Sequence, residues 1–498
     1  MKRNVWIGVW LVCVAALSWL PATPSLADSR PNILLCISDD QSWLHTGAMG
    51  DRVVKTPAFD RVAREGILFT HAFCDAPSCG PSRSALLTGQ PIWRLEEAGN
   101  LHCRMPDKFD TYVRLLQQAG YATGSQVKAW APGQVWTAEG WVHNSQTREN
   151  PAGPEYESFD QFLEQRPAGQ PFCYWLGSND PHRPYELHSG IESGMEPDRV
   201  QVPQHLPDDP VVRSDILDYY IEIQRFDQRV AAALAALERV GELDNTLVVV
   251  TSDHGMPFPR AKASLYDIGT RVPLAVRWPD GVVSPGRVCD ALVSLSDLAP
   301  TFLQAAGVVQ PERMIARSLM DLMKHADAGA KRDAVFVALE RHDGCRAGGA
   351  GYPCRALRTP DYLYIRNYAP ERWPAGDPNA AHCARAIPFG EVDPSPTKAL
   401  MMQRVAEPTI ERLHHLSFGK RPDEELYVLA DDPSQLENVA ALAEFQAIKA
   451  DLAARLQQHT RHTGDPRALG LNAPWDHYPY FGIRINQDWA VESALLRQ

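Results

Sequence analysis

The residues best equipped for chemistry stand in short runs far apart in the chain. Asp39-Asp40 closes the apolar run Asn32 to Ser38. Cys79 opens Cys79-Gly80-Pro81-Ser82-Arg83, which continues Ser84-Ala85-Leu86-Leu87-Thr88-Gly89. Lys128 lies in Lys128-Ala129-Trp130, His182 in Asp180-Pro181-His182-Arg183, and Ser252-Asp253-His254-Gly255 is followed by Lys262. Carboxylate oxygens from Asp39, Asp40 and Asp253 suit a hard cation such as Ca²⁺ or Mg²⁺, and the His254 imidazole admits other divalent ions as well. Taken singly, each residue also has a plain reading: Asp39-Asp40 as helix caps, Cys79 as a buried thiol, His182 as a loop histidine bonded to backbone, Lys128 and Lys262 as solvated lysines.

The elements that must position these groups follow from hydrophobic spacing. Asn32 to Ser38, Pro171 to Leu176 and Thr246 to Thr251 are short apolar runs that read as buried parallel strands, each ending in polar groups. Functional groups commonly sit at such C-terminal strand ends. Thr56-Pro57 starts a helix that Gly66 stops, Phe109 to Ala119 repeats the pattern before Gly120, and Ser214 to Val240 is a long amphipathic helix. This alternation predicts an α/β fold with a large, mostly parallel sheet sandwiched by helices. Val272 to Val276 and Ala334 to Leu339 read as further strands, Leu298 to Ala306 as a helix. Beyond about Tyr352 the pattern changes. Short strands at Tyr362 to Ile365 and Glu425 to Leu429, with a last helix from Ala443 to His459, predict a smaller α+β region. The expected division is residues 1–27 as signal peptide, 28–350 as catalytic domain and 351–498 as C-terminal subdomain.

The eleven residues from Cys79 to Gly89 resemble the signature of the type I sulfatases within the alkaline phosphatase superfamily. Asp39-Asp40, Lys128, residues 180–183, residues 252–255, Lys262, Glu425-Leu426-Tyr427 and Asp432-Pro433 follow in the family's order. The resemblance implies an alkaline phosphatase-like fold and a formylglycine made from Cys79 by a formylglycine-generating enzyme that reads Cys-x-Pro-x-Arg. It implies a divalent cation on Asp39, Asp40, Asp253, His254 and the position 79 oxygen, with Ca²⁺ the first expectation. It also implies that Arg83 orients the formylglycine hydrate, that Lys128 and Lys262 bind sulfate oxygens, and that His182 protonates the leaving group. One departure stands out: the family commonly carries Lys-x-His where this chain has Lys128-Ala129-Trp130, and indole cannot act as a base.

The run Met256-Pro257-Phe258-Pro259 with Lys262 and Leu265-Tyr266 is similar to the heparan N-sulfatase branch. That resemblance implies a sulfated glycan substrate, with N-sulfoglucosamine foremost. Two other readings are compatible with the residues: a phosphodiesterase or phosphonate monoester hydrolase of the same superfamily, and a sulfated-glycan-binding protein that has lost turnover. His342, after Glu340 and Arg341 at a strand end, is expected either at the substrate mouth or in a structural role.

Composition bounds the rest. The chain has 498 residues, 44% hydrophobic and 22% charged, with a formal net charge of -12, which reads as globular and argues against general nucleic-acid binding. Lys2-Arg3 precede an apolar run from Val5 to about Leu20, with Ser25 and Ala27 ahead of Asp28, the pattern of a cleaved export signal. The mature protein is therefore expected in the periplasm or secreted, or lysosomal in a eukaryote, with no stable membrane span. Removal of Cys13 leaves nine of the ten cysteines, and Cys345 with Cys354 is the nearest candidate disulfide pair. A homodimer is compatible with the sequence and nothing requires one.

Overall fold

The computed structural model describes residues 30–325 and 332–487. The expected signal peptide lies outside the described residues. Among the described residues fifteen strands are present: β1 (Asn32–Ser38), β2 (Ile67–Phe73), β3 (Cys103–Arg104), β4 (Ala122–Gln126), β5 (Gly133–Thr137), β6 (Gly140–His143), β7 (Phe172–Gly177), β8 (Thr246–Ser252), β9 (Arg271–Arg277), β10 (Arg287–Cys289), β11 (Val293–Ser294), β12 (Val335–Leu339), β13 (Cys354–Arg358), β14 (Tyr362–Asn367) and β15 (Glu424–Val428). Eight of them form one sheet in the order β10-β2-β9-β8-β1-β7-β4, with β11 beside β2. All its pairs are parallel except those of β9, which runs against both β2 and β8.

Why β1 is apolar throughout follows from its central place. Ile33, Leu35 and Ile37 point into one core with Tyr112, Leu116 and Phe302, while Leu34 and Cys36 point into another with Phe59, Val62, Phe162 and Val230. Successive side chains alternate faces, so a strand covered on both sides needs apolar residues at every position. The helices Tyr112–Gln118 and Leu298–Ala305 cover the first face, and Pro57–Glu65, Phe159–Gln165 and Pro210–Arg239 the second. The 30-residue helix begins at Asp209, whose side chain accepts from the Val211 N–H, and has Pro at its first position; both are strong start signals.

A four-stranded antiparallel sheet, β12-β13-β14-β15, forms the smaller unit, and a third sheet joins β3, β5 and β6. The small sheet takes in β12, which lies before residue 351. Its helix runs Gln446–His462, three residues later than the periodicity predicts, because Ala443–Phe445 is a separate 3₁₀ turn. Arg358 of β13 grips Asp267 through Nε (3.1 and 3.2 Å) and Nη2 (3.0 Å), tying the small sheet to the loop that follows β8. The nine described cysteines are free thiols. Cys345 does not bridge to Cys354, which opens β13 within the apolar core; it lies beside Cys383, both against the open face of Gly390. Among the described residues no helix is long and apolar enough to cross a membrane.

Candidate active site

Register brings the chemical runs together. Ser38 pairs with Ser252 and Ile37 with Gly177, so the chain leaves β1, β7 and β8 at one edge of the sheet. Asp39-Asp40, residues 178–183 and residues 253–262 emerge there side by side. β4 ends two residues before Lys128, and β2 leads to the helix Cys79–Thr88. Asp40 adopts φ 74°, a left-handed backbone uncommon for a residue with a Cβ and frequent at functional sites. Its N–H donates to Asp253 Oδ1 (3.1 Å), which locks the turn.

Asp39, Asp40, Cys79 and His254 each offer a ligand atom, all within 4.8 Å of one another and all buried. Asp39 Oδ1 and Asp40 Oδ1 are buried without a hydrogen-bond donor, an arrangement that costs folding energy unless a cation is supplied. His254 Nδ1 lies 3.1 Å from the Gly255 carbonyl, so it carries the proton and directs the other nitrogen inward. That Nε2 stands 3.1 Å from Asp40 Oδ1 and 3.3 Å from Cys79 Sγ. A lone pair facing a carboxylate again calls for a cation between them, and oxygen donors plus one imidazole fit a divalent ion. Asp253 is not in this four-group cluster. Its Oδ1 accepts from the N–H groups of Asp40 and His254 (3.1 and 2.9 Å), and its Oδ2 from Arg83 Nε (2.9 Å).

Arg83 is fully buried, one turn on from Cys79. Besides Asp253 it donates through Nη1 to the carbonyls of Lys128 (2.8 Å) and Ala129 (2.9 Å), so the guanidinium fastens the helix that Cys79 opens to the Lys128 loop. Lys128 Nζ reaches Asp39 Oδ2 at 2.5 Å, and Lys262 Nζ donates to Asp40 Oδ2 (2.8 Å) and Asp393 Oδ2 (3.0 Å). Neither lysine is a solvated surface residue. Burial alone would raise the Asp39 carboxyl, but Lys128, then His182, Arg83 and Lys262 hold it well below its ordinary value. Burial opposes the charge on Lys262, yet Asp393 and Asp40 outweigh it and hold the ammonium on. Cys79 lies at the first position of its helix, where backbone N–H groups favour an anion. Burial first, and Asp39 next, push its thiol well above the usual range, so unmodified Cys79 is a protonated, poor nucleophile.

His182 Nδ1 lies 2.6 Å from the Arg183 carbonyl, as the loop reading expects, which leaves Nε2 aimed at the cleft, 3.9 Å from Asp40 Oδ2. With its side chain 33% exposed, it is the most open of these groups. Arg183 points the other way: it grips Asp215 with two bonds (2.7 and 2.8 Å), donates to the Pro257 carbonyl (3.0 Å) and lies over the Phe258 ring. The Asp180 to Arg183 and Pro257 to Pro259 runs thus occur together because they pack together. Trp130 is buried and donates to Ser84 Oγ (2.8 Å), filling space beside the helix Cys79–Thr88. The histidine that reaches position 79 is His254. His342 is buried against Ser78 Oγ (2.8 Å), which places it under the helix start. Sequence reasoning missed Asp393, because residues 388–393 carry no periodic pattern and no motif.

A mostly parallel sheet with a cation-seeking cluster at its strand ends and a small antiparallel sheet beside it is the alkaline phosphatase-like hydrolase fold. The sequence pattern of the sulfatase family matches residues 31–308, and one described as N-sulphoglucosamine sulphohydrolase, C-terminal, matches residues 257–379. The chain belongs to the sulfatase family, hydrolases of sulfate esters or sulfamates. Human N-sulphoglucosamine sulphohydrolase is 29% identical over 490 residues, which cover 89% of this chain and 92% of the human one. A protein solved with its substrate D-glucosamine-2-N,6-O-disulfate has the same fold at a TM-score of 0.61 and 19% identity, over 88% of this chain and 98% of the other. Phosphonate monoester hydrolase of Agrobacterium radiobacter superposes with a TM-score of 0.62 at 17% identity, over 88% and 97% of the two chains.

Proposed function

We propose that the chain removes sulfate from a sulfated glycan such as heparan, with the N-sulfate of N-sulfoglucosamine as its leading target, using a formylglycine made from Cys79. The observation that carries this is the seat of Cys79: first residue of a buried helix, 3.3 Å from His254, beside two carboxylates that each keep one oxygen without a hydrogen-bond donor and two lysines that hold the other. The resemblance to the human sulphohydrolase over nearly the full length of both chains supports the N-sulfate.

A formylglycine hydrate at position 79 would offer one hydroxyl to attack sulfur and a second whose ionisation expels sulfate, and a calcium or magnesium ion, when bound, would supply Lewis-acid chemistry there. The residues that would hold the ion are Asp39, Asp40, His254 and position 79, with Asp253 beside them fixing the Asp40 and His254 backbone. Arg83 holds Asp253 and the Lys128 loop in register with the nucleophile. Lys128 and Lys262 bind the sulfate oxygens and stabilise the charge that grows on them. His182, its Nδ1 spent on backbone, presents Nε2 to the leaving nitrogen or oxygen and donates the proton. The enclosed cluster keeps bulk water from these charges. Maturation requires a formylglycine-generating enzyme, and the leader residues direct the chain to an exported location.

The test is sulfate release, by ion chromatography, from N-sulfoglucosamine and from the sulfate and phosphate esters of one alcohol, with enzyme made alongside a formylglycine-generating enzyme. Faster hydrolysis of sulfur than of phosphorus, and release from N-sulfoglucosamine, are expected. A preference for phosphate would move the reading to a phosphonate monoester hydrolase, and saturable binding without release to a silent glycan-binding protein.

A further inference from the structure

Asp393 is a buried carboxylate inside the site that no part of the proposed chemistry uses. It accepts from Lys262 Nζ at 3.0 Å and forms, with Asp40 and a ring nitrogen of His182, a second group whose ligand atoms lie within 4.8 Å of one another. Charge around the cleft is unevenly shared. Asp39 has Lys128 and shares Arg83 with Asp253, whereas Asp40 and Asp393 divide the single ammonium of Lys262, with His182 and His254 beside Asp40. The next cation, Arg385, is 3.8 Å from Asp393 and is committed to Asp343 at 2.8 Å. With Asp40 turned to the divalent ion of the proposed site, Asp393 is the carboxylate beside His182 on the side of the cleft where the leaving group would stand.

The placement is built. Lys398 Nζ donates to the carbonyls of Pro388 (3.0 Å), Phe389 (3.0 Å) and Val392 (2.7 Å), and Arg385 Nη2 to that of Gly390 (2.9 Å). Four residues on, Thr397 Oγ1 donates to Asp215 Oδ2 (2.6 Å), the same carboxylate that grips Arg183. The segments bearing Asp393 and His182 are thus fastened to one buried group.

Building on the N-sulfate reading above, we infer that Asp393 is a specificity-determining residue that receives the amine leaving group of an N-sulfated sugar. Hydrolysis of R–NH–SO₃⁻ breaks the S–N bond, forms an S–O bond to the oxygen of water, and leaves both of water's protons on nitrogen, giving R–NH₃⁺ and the sulfate dianion. An O-sulfate releases a neutral alcohol instead. Only the first product gains a positive charge, and a carboxylate beside it makes a charge-assisted hydrogen bond that an alcohol cannot match. Lys262 holds Asp393 ionised and aimed before substrate arrives; the carboxylate sits well below its ordinary range chiefly because Lys262, then His182 and Arg385, outweigh its burial.

Asp393→Asn tests this against N-sulfoglucosamine and glucosamine 6-O-sulfate, with Asp393→Glu as the conservative variant. The loss in kcat/KM is expected to be about 10- to 100-fold greater on the N-sulfate, one to two decades being the scale of one charge-assisted bond, with partial recovery in Asp393→Glu. Equal losses on both substrates would overturn the inference and leave Asp393 a mere support for Lys262. Calorimetry on the unaltered enzyme gives an answer independent of folding or turnover: glucosamine should bind more tightly than N-acetylglucosamine, and equal binding would also overturn it. If the enzyme leaves N-sulfoglucosamine intact but prefers glucosamine, the N-sulfate reading fails while the ammonium subsite stands.

Discussion

Asp39 Oδ1 and Asp40 Oδ1 face inward with no donor, and that is the most consequential detail at the scale of single residues. If a divalent ion satisfies them, its removal by a chelator should lower the melting temperature and abolish sulfate release together, with Ca²⁺ or Mg²⁺ restoring both. Unchanged stability after metal analysis confirms removal would count against the cluster. The two lysines make a kinetic prediction: Lys128→Ala should lower kcat on the order of a hundredfold, as expected for one donor to a charged transition state, measurable by steady-state kinetics. The nucleophile proposed at position 79 makes another. Cys79→Ser keeps one hydroxyl but not the pair a hydrate offers, so at least about a thousandfold loss in turnover is expected. Most of these residues were legible in the sequence because each sits in a run with a recognisable spacing. Asp393 was not, since its position depends on a latch of backbone carbonyls around Lys398 that no linear pattern records.

Among the elements, the parallel strands were the most readable. β1 and β8 are uniformly apolar because both sheet faces are covered, and their boundaries differ from the periodicity by at most a residue. β9 is equally apolar, but its reversal relative to β2 and β8 is a fact of connection, which composition does not encode. β13, rich in arginine at Arg355 and Arg358, escaped notice because those guanidiniums are buried in ion pairs rather than exposed. The helix Gln446–His462 docks on the small sheet with His459 stacked on Phe336, ring centroids 3.5 Å apart. Burial pushes the His459 pKa down to about 4 from 6.5. The unfolded chain takes up this proton first as pH falls, so the stability present above about 6.5 is lost as pH drops toward 4. His459→Phe should remove that part of the acid sensitivity: in urea titrations its midpoint should rise relative to the parent as pH falls from about 7 to about 4.5. A constant difference would mean the stack does not carry the effect.

At the scale of the whole molecule, the site is completed from both sheets. Asp39, Cys79, Lys128, His182 and His254 leave the large sheet at one edge, whereas Asp393 arrives on the segment between β14 and β15. Arg358 and Asp267 join the two units through three bonds between buried groups. Breaking such a pair by removing one partner costs about 3–5 kcal/mol, so Arg358→Met should lower the melting temperature and, in step with it, the temperature at which sulfate release is lost. Loss of stability with activity retained to the same temperature would show that the small sheet does not hold the site. The sheet-on-sheet arrangement was legible only as a change of pattern near Tyr352; that β12 joins the small sheet depends on pairing with β13 across a loop.

The central claim rests on position 79, and the mass of the peptide spanning residues 72–94, from enzyme that releases sulfate, tests it most directly. Conversion of the thiol to an aldehyde predicts a peptide lighter by about 18 Da than the encoded one, with the change localised to Cys79. A peptide of full encoded mass, its thiol still open to alkylation in an active preparation, would contradict it.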